Sequence, residues 1–568
     1  MTWDGRIGRG TALAGAFGGI VFAMLASSGT SRSANVVVVQ KDAKPEWIGA
    51  SVCQRCHQEK DPTDVKEYQQ TRGFDFVRLW ENRIWDAHDL HSMAYKNLTT
   101  NATKDNTGGD VNATAQRMED NLKRLRGDKY TVAGDTACLA CHASSQNPLD
   151  KATFADAKAD FFKTDDGVGC EMCHGHGSKY RDEHQRSMLV KGKVPAGEAT
   201  REVPWRNADP KTKADAGLVN LRDPAVAAAK CASCHVGNKD EGRFVTHEMY
   251  AVGHPPLPPL DLMAYSREQP RHWGLSTEMP FLVNLAKKDA KKAFDTFHYR
   301  DGESLVARRF VESTIGALRS NVKLVKQLAD EAKPKNDGLD FAAFDCYSCH
   351  HNLKYPSDRQ ARGYDGPPGR PQFRLAPFAM ARLVADDEKL AGELDTLQKQ
   401  LAMSFGNRTY GDPDLVIKAV EKLDAWCDAA HAKVAAVRYT KDEVKKLLDK
   451  LTAAASREPI AEPRGVPASQ RAVADPELAM LYVWAITTLL LDDAKDGVLP
   501  ANVATLRDGL KGTVPTRLRP NSAYDFEVKI NSPAPKGIEN VDARIGARMK
   551  EFNAFEGPVF RGAFKKLK

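Results

Sequence analysis

Ten of the eleven cysteines stand in pairs two residues apart, and a histidine follows each pair directly. The copies are CQRCH (Cys53, Cys56, His57), CLACH (Cys138, Cys141, His142), CEMCH (Cys170, Cys173, His174), CASCH (Cys231, Cys234, His235) and CYSCH (Cys346, Cys349, His350). Two thiols at this spacing can each add to one vinyl group of a haem, and the adjacent histidine then lies beneath the iron as an axial ligand. A redox dithiol has no need of histidine at the next position, and zinc ribbons do not demand one after every second cysteine. With 15 histidines among 568 residues, five in five by chance has a probability on the order of one in a hundred million. The spacing predicts five covalently attached haems c. No copy carries lysine in place of histidine, which counts against the multihaem nitrite reductases that use it.

What fills the sixth position of each iron decides between carrier and enzyme. Two axial imidazoles give a closed iron suited to electron transfer, whereas an open position lets a small molecule bind. Ten further histidines are available: His88, His91, His176, His184, His247, His254, His272, His298, His351 and His431. His176 sits between two glycines only two residues after His174, tethered on the wrong side of that haem, and reads as a non-ligand. His88, His272, His298 and His351 are the candidates for the remaining sixth position, each reading individually as a surface or hydrogen-bonded histidine. Cys427, the eleventh cysteine, and His431 lie one turn apart on an apolar helix face with no further ligand nearby, so both read as structural.

The stretches "DLHSMAYKNL" (89–98), "DGVGCEMCHGHGSKYRDEH" (166–184) and "THEMYAVGHPPL" (246–257), together with the first four motifs, resemble the cytochrome c-554 family over residues 50 to 260. That family includes a tetrahaem electron acceptor of hydroxylamine oxidoreductase and longer exported relatives. The fifth motif, in "DCYSCHHNLKYPSDRQ", resembles those longer relatives. The resemblance implies His91, His184, His247 and His254 as distal ligands, with His184 serving the first-motif haem opposite His57. His247 and His254 are seven apart, about two helical turns. Gly253 and Pro255 break that helix, so two different irons are expected. In the tetrahaem relative one haem is five-coordinate, which leaves an open second-motif haem (His142) as an alternative.

The elements that must position these groups are mostly helical. Gaps between motif starts are 85, 32, 61 and 115 residues, and the short second gap suggests contact between the second and third haems. The expected fold is mainly α with extensive irregular loops: a multihaem c-type cytochrome domain over 34–361, a linker at "RGYDGPPGRPQF" (362–373), and an α-helical C-terminal domain over 374–568. In that last part Asp412–Pro413 and Asp475–Pro476 supply N-caps with proline at the first helical position, "TKDE" (440–443) is a capping box, and five or six helices follow. The run "LAMLYVWAITTLLL" (478–491) is too short to span a bilayer and reads as a buried helix.

Residues 1–33 read as a signal peptide or N-terminal anchor. Arg6 and Arg9 precede an apolar run from Thr11 to Leu25, and small residues follow, with cleavage expected between Ala26 and Ala34. Left uncleaved, the segment would tie the protein to the membrane. Export to the periplasm or beyond agrees with c-type haem. The composition, 42% apolar and 28% charged with a net charge of +7, supports a real core, and the dispersed charge argues against nucleic-acid binding. These features together point to an electron carrier with redox protein partners as donor and acceptor, its haems mostly bis-histidine. The alternative is a multihaem oxidoreductase of the hydroxylamine or nitrite type, acting on a small nitrogen or sulfur compound at one open haem.

Overall fold

In the computed structural model, four of the five motifs end an α-helix at their histidine: Ala50–His57, Thr136–His142, Cys170–His174 and Pro224–His235. The two cysteines of each motif are thereby three residues apart on one helical face, with the histidine one step round from the second. The fifth motif instead opens a single 3-10 turn, Cys346–Ser348, capped by Asp345, whose carboxylate accepts from Tyr347 N. The structure describes residues 47–58, 81–99, 113–144, 164–186, 205, 208–273, 280–351, 357–361, 369–461, 466–492, 501–510 and 557–566. The expected export segment, residues 1–33, lies outside these.

Among the described residues every regular element is a helix, and the one β contact is an isolated bridge between Asn238 and Arg243. The longest helix, Leu305–Lys335, begins at Ser304, whose hydroxyl accepts from Ala307 N. It packs on Pro413–Ala436 along one side and on the fourth-motif helix Pro224–His235 along another. Close approach to the motif helix depends on small residues. A Cβ built on Gly316 would meet Ala228 Cβ at 3.0 Å, so the crossing tolerates nothing larger without moving apart.

Four described helices start with the same dipeptide. Asp209, Asp223, Asp412 and Asp475 each accept from backbone N–H groups of the first turn, and proline follows at a position that needs no donor. Thr440 caps Lys441–Ala455 by accepting from Glu443 N. Beyond residue 374 seven α-helices are described, against the five or six expected: Ala376–Val384, Glu388–Met403, Pro413–Ala436, Lys441–Ala455, Pro476–Leu490, Ala501–Leu510 and Gly557–Lys565. Pro476–Leu490 is buried along nearly its whole length, each large apolar side chain contributing about 1.5–3 kcal/mol relative to exposure. No helix among the described residues is long and apolar enough to cross a membrane.

One hydrophobic core joins residues on both sides of 362–373. Phe244, Met263, Val311 and Leu328 share it with Phe378, Leu423, Trp484 and Phe560. Phe373 is itself buried there, and residues 362–368 lie outside the described set. A smaller cluster of Leu98, Met118, Leu122, Leu139 and Val252 seats the second motif.

Candidate haem sites

The segment around the third motif is a junction. Glu171, inside CEMCH, is buried and accepts from three backbone N–H groups: Ile48 (3.0 Å), Gly49 (2.8 Å) and Gly177 (2.7 Å). Gly49 leads directly into the first-motif helix, so this carboxylate fixes the first motif against the third. Burial pushes the Glu171 carboxyl up, and the three donors oppose the shift. Gly167, two residues before the "GC" of the motif, has φ +65°. A Cβ there would come within 2.7 Å of His91 O, and Val168 N donates to that same carbonyl at 2.9 Å. The glycine-rich lead-in therefore exists to let the chain run hard against the His91 segment.

Three motif histidines each face a histidine from outside the motifs. Ring centres are 6.4 Å apart for His57 and His184, 6.2 Å for His235 and His91, and 6.4 Å for His174 and His272. A first-row metal bonds imidazole nitrogen at about 2.0–2.1 Å, and that nitrogen lies about 1.1 Å from the ring centre, so two axial imidazoles on one iron have ring centres roughly 6.3 Å apart. The three spacings fit a haem iron between each pair. The ring planes are nearly parallel in the first pair (19°) and nearly perpendicular in the other two (84° and 75°).

The hydrogen bonds point the same way. A metal-binding histidine uses one ring nitrogen for the metal and donates from the other to an oxygen that fixes its orientation. Here Nδ1 donates to Glu81 from His57 (2.9 Å), to Asp89 from His91 (2.9 Å), to Ala94 O from His142 (2.9 Å), to Tyr180 O from His184 (2.9 Å), to Pro255 O from His254 (2.8 Å) and to Pro270 O from His272 (3.3 Å). Each leaves Nε2 for an iron. Burial pushes His174 and His235 down to about 4 and lowers His142, which keeps these imidazoles neutral with a free lone pair. Burial alone would raise the Asp89 carboxyl, but the His91 ring and backbone and the Gln269 amide hold it at about 2.

Neighbouring thiols reveal which motifs meet. Cys53 lies beside Cys170 and Cys141 beside Cys234, each pair close enough to shift one another's ionisation, and Cys173 neighbours Cys231 and Cys234. The order in space is first, third, fourth, second. The second and third motif segments also meet, Ser144 joining them through Gly167 O and Gly169 N, while their cysteines lie beside those of other motifs.

Sequence reading missed Arg243, which is buried and touches three motifs. Its Nε donates to Ala140 O of CLACH (2.8 Å), Nη1 to Ser233 Oγ of CASCH (3.0 Å), and Nη2 lies 3.7 Å from Met172 Sδ of CEMCH. Glu241 pairs with the same guanidinium from a half-exposed position. Nothing in "GRFVTHE" marks this arginine, because its partners are the variable residues between the cysteines.

His247 begins the helix His247–Ala251 and is exposed, with its ring edge on Phe341 at 5.4 Å. His254 lies beyond that helix, after Gly253 at φ +119°. The segment joins two motifs: Asn121 Nδ2 donates to Val252 O on the second-motif side, and His247 N donates to Asp340 on the fifth-motif side. Cys346, Cys349 and His350 are exposed at the surface. Among the remaining histidines, His176 meets Trp47 edge-on, His298 caps the helix Ala290–Phe297 with φ +50°, and His88 is exposed at the end of Glu81–His88. Cys427 is fully buried in the main core, where desolvation pushes its thiol up to about 12, and His431 pairs with Glu312 at 3.4 Å.

A cleft beside His235 holds the buried carboxyl of Asp261 together with Arg374 and Glu477. Asp261 caps the helix Leu262–Glu268 by accepting from Ala264 N at 2.8 Å, and burial pushes it from 3.8 up to about 6. Between those values the unfolded chain has lost this proton and the folded chain keeps it, so stability falls as pH rises, by about 3 kcal/mol once pH exceeds 6. Asp261→Asn keeps the capping oxygen and cannot ionise. Its stability relative to the parent should therefore grow between pH 4 and pH 7, measured by urea unfolding at each pH. An equal difference at both would contradict the buried neutral acid.

Residues 52–175, spanning the first three motifs, match the family profile described as cytochrome c554 and c-prime. The chain is a multihaem c-type cytochrome. The cytochrome is also similar to the C-type polyheme cytochrome OmcC of Geobacter sulfurreducens, 29% identical over 109 residues, which is 19% of this chain and 10% of that relative. It thus spans about a tenth of the relative's length. No solved structure matches it. Cytochromes of this family carry covalent haem c and pass electrons to redox partners.

Proposed function

We propose that the cytochrome is an exported pentahaem electron conduit whose haems are mostly closed by two histidines. The observation that carries this reading is the set of three motif histidines, His57, His174 and His235, each opposite a second histidine at axial spacing. His184, His272 and His91 are the corresponding distal ligands. His247 and His254, on the segment joining the second and fifth motifs, serve the haems attached there. Each bound haem would supply a one-electron carrier, and the protein's part is to fix spacing, ligands and burial. Glu171 and Arg243 hold the first four motifs together in the order first, third, fourth, second, so that electrons need no large motion between them. The exposed fifth motif offers a point of exchange with a donor or acceptor protein. The arginine-flanked apolar N-terminus directs export.

The test is a haem count and a spin state on the purified protein. Five haems per chain, low-spin at the first, third and fourth motifs and unmoved by cyanide, nitrite or hydroxylamine, is the expected result. A count other than five, or a high-spin majority that these ligands convert, would sink the conduit reading in favour of an enzyme.

A further inference from the structure

The oxygen atoms that receive Nδ1–H are of two kinds. His142, His184, His254 and His272 donate to backbone carbonyls. His57 and His91 donate to carboxylates, Glu81 and Asp89, each at 2.9 Å. Neither acid is a loose surface group. Glu81 is only 17% exposed and Asp89 2%. Asp89 is further fixed by His91 N (3.0 Å) on one oxygen and Gln269 Nε2 (3.0 Å) on the other. Both are therefore held in place against one ring nitrogen.

A carboxylate draws the Nδ1 proton more strongly than a neutral carbonyl does. The imidazole gains anionic character, becomes a stronger donor through Nε2, and favours the ferric over the ferrous iron. We propose that Glu81 and Asp89 are potential-setting residues that make the first-motif and fourth-motif haems the low-potential members of the chain. This rests on the axial reading of His57 and His91 given above. Glu81 acts through His57 on the first haem, and Asp89 through His91 on the fourth. In the spatial order first, third, fourth, second, the two carboxylate-backed positions flank the third, whose distal His272 leans on a carbonyl. Electrons on the conduit would rest on the carbonyl-backed haems and leave the carboxylate-backed ones oxidised first.

The different ring-plane angles make the two sites separable. Nearly parallel axial imidazoles (His57 and His184, 19°) and nearly perpendicular ones (His91 and His235, 84°) give distinct low-spin EPR signals. EPR-monitored redox titration of the full-length holoprotein can then follow each haem in Glu81→Gln and Asp89→Asn. The expected result is that each variant stays low-spin and pentahaem while one signal titrates at higher potential. The shift should be at least tenfold in the oxidised-to-reduced ratio at fixed potential, which is 59 mV for one electron. The near-parallel signal should move in Glu81→Gln and one of the two near-perpendicular signals in Asp89→Asn, with the other signals fixed. Unmoved potentials in both variants, with His91→Ala turning one haem high-spin, would overturn this inference and leave the axial reading standing. A low-spin His91→Ala would overturn both for Asp89. Because Asp89 is buried and multiply bonded, Glu81→Gln, at the more accessible site, decides the question if Asp89→Asn does not fold.

Discussion

Replacing His272 with alanine should turn one haem of five high-spin while all five stay covalently attached. His272 stands in "PRHWGL", where nothing in the local sequence distinguishes it from a surface histidine. Its ring nevertheless lies 6.4 Å from His174, whose imidazole burial pushes down to about 4, and burial lowers the His272 ring as well. Nδ1 is engaged by Pro270 O, so Nε2 is the atom left to point at the third-motif iron. Alanine removes that donor and no other part of the attachment chemistry, since Cys170, Cys173 and His174 are untouched. The absorption spectrum should show a high-spin fraction near one fifth of the haem, and exogenous imidazole should restore the low-spin form. His298→Ala is the control. That residue caps a helix through its backbone N–H while its ring meets Phe294 and Asn220, so loss of the side chain should leave the spectrum unchanged. An unaltered spectrum in His272→Ala would refute the assignment.

The second large effect is on stability. Arg308 is wholly buried, and its guanidinium pairs with two buried carboxylates, Glu303 and Glu312. It also reaches Val437 O (3.3 Å) and Ala435 O (3.5 Å), tying the start of the long helix Leu305–Lys335 to the end of Pro413–Ala436. Arg308→Met removes the buried cation both carboxylates share, leaving Glu303 only the more distant Arg300 (3.7 Å) and Glu312 only His431 (3.4 Å). Breaking a buried pair in this way costs about 3–5 kcal/mol, and denaturant unfolding of the holoprotein should show the loss as a lower midpoint. Combining Arg308→Met with Glu303→Leu and Glu312→Leu should recover most of it, because the penalty comes from the stranded charges. A single variant as stable as the parent would contradict the geometry. The pH dependence has a fixed sign. Burial raises the Glu312 carboxyl, but His431 and Arg308 outweigh it and hold the group below its usual 4.5. Its contribution is therefore present above 4.5 and lost as pH falls through the lower folded value.

These two cases show what a linear sequence exposes. The five motifs are legible because attachment needs contiguous residues, and the Asp–Pro and Thr–x–x–Glu caps are legible because capping is equally local. His91, His184, His247 and His254 came from family resemblance, which gave a partner for His184 alone, the first-motif haem opposite His57. That His91 faces His235, and His272 faces His174, depends on how loops of tens of residues close, and no local pattern encodes it. The short gap between the second and third motifs marks segments that meet through Ser144 and Arg243, but it gives no sign that the fourth motif's cysteines neighbour those of both. Arg243 and Arg308 were invisible for a related reason. Each satisfies carbonyls, a sulfur or carboxylates scattered over a hundred residues, and a lone arginine in a loop or helix looks like any solvated cation. The continuous core across 362–373 hides similarly, since a proline- and glycine-rich run has the same composition whether it separates two bodies or crosses one.

Arg243 also has a bearing on biogenesis. The chain emerges from its N-terminus, and the residue that gathers the second, third and fourth motifs comes after all of them, at position 243. Until it has appeared, those three segments have no common cation to close on. The haem-attaching machinery would therefore meet them as separate, accessible stretches, and the arginine would then act as a latch that shuts on sites already loaded.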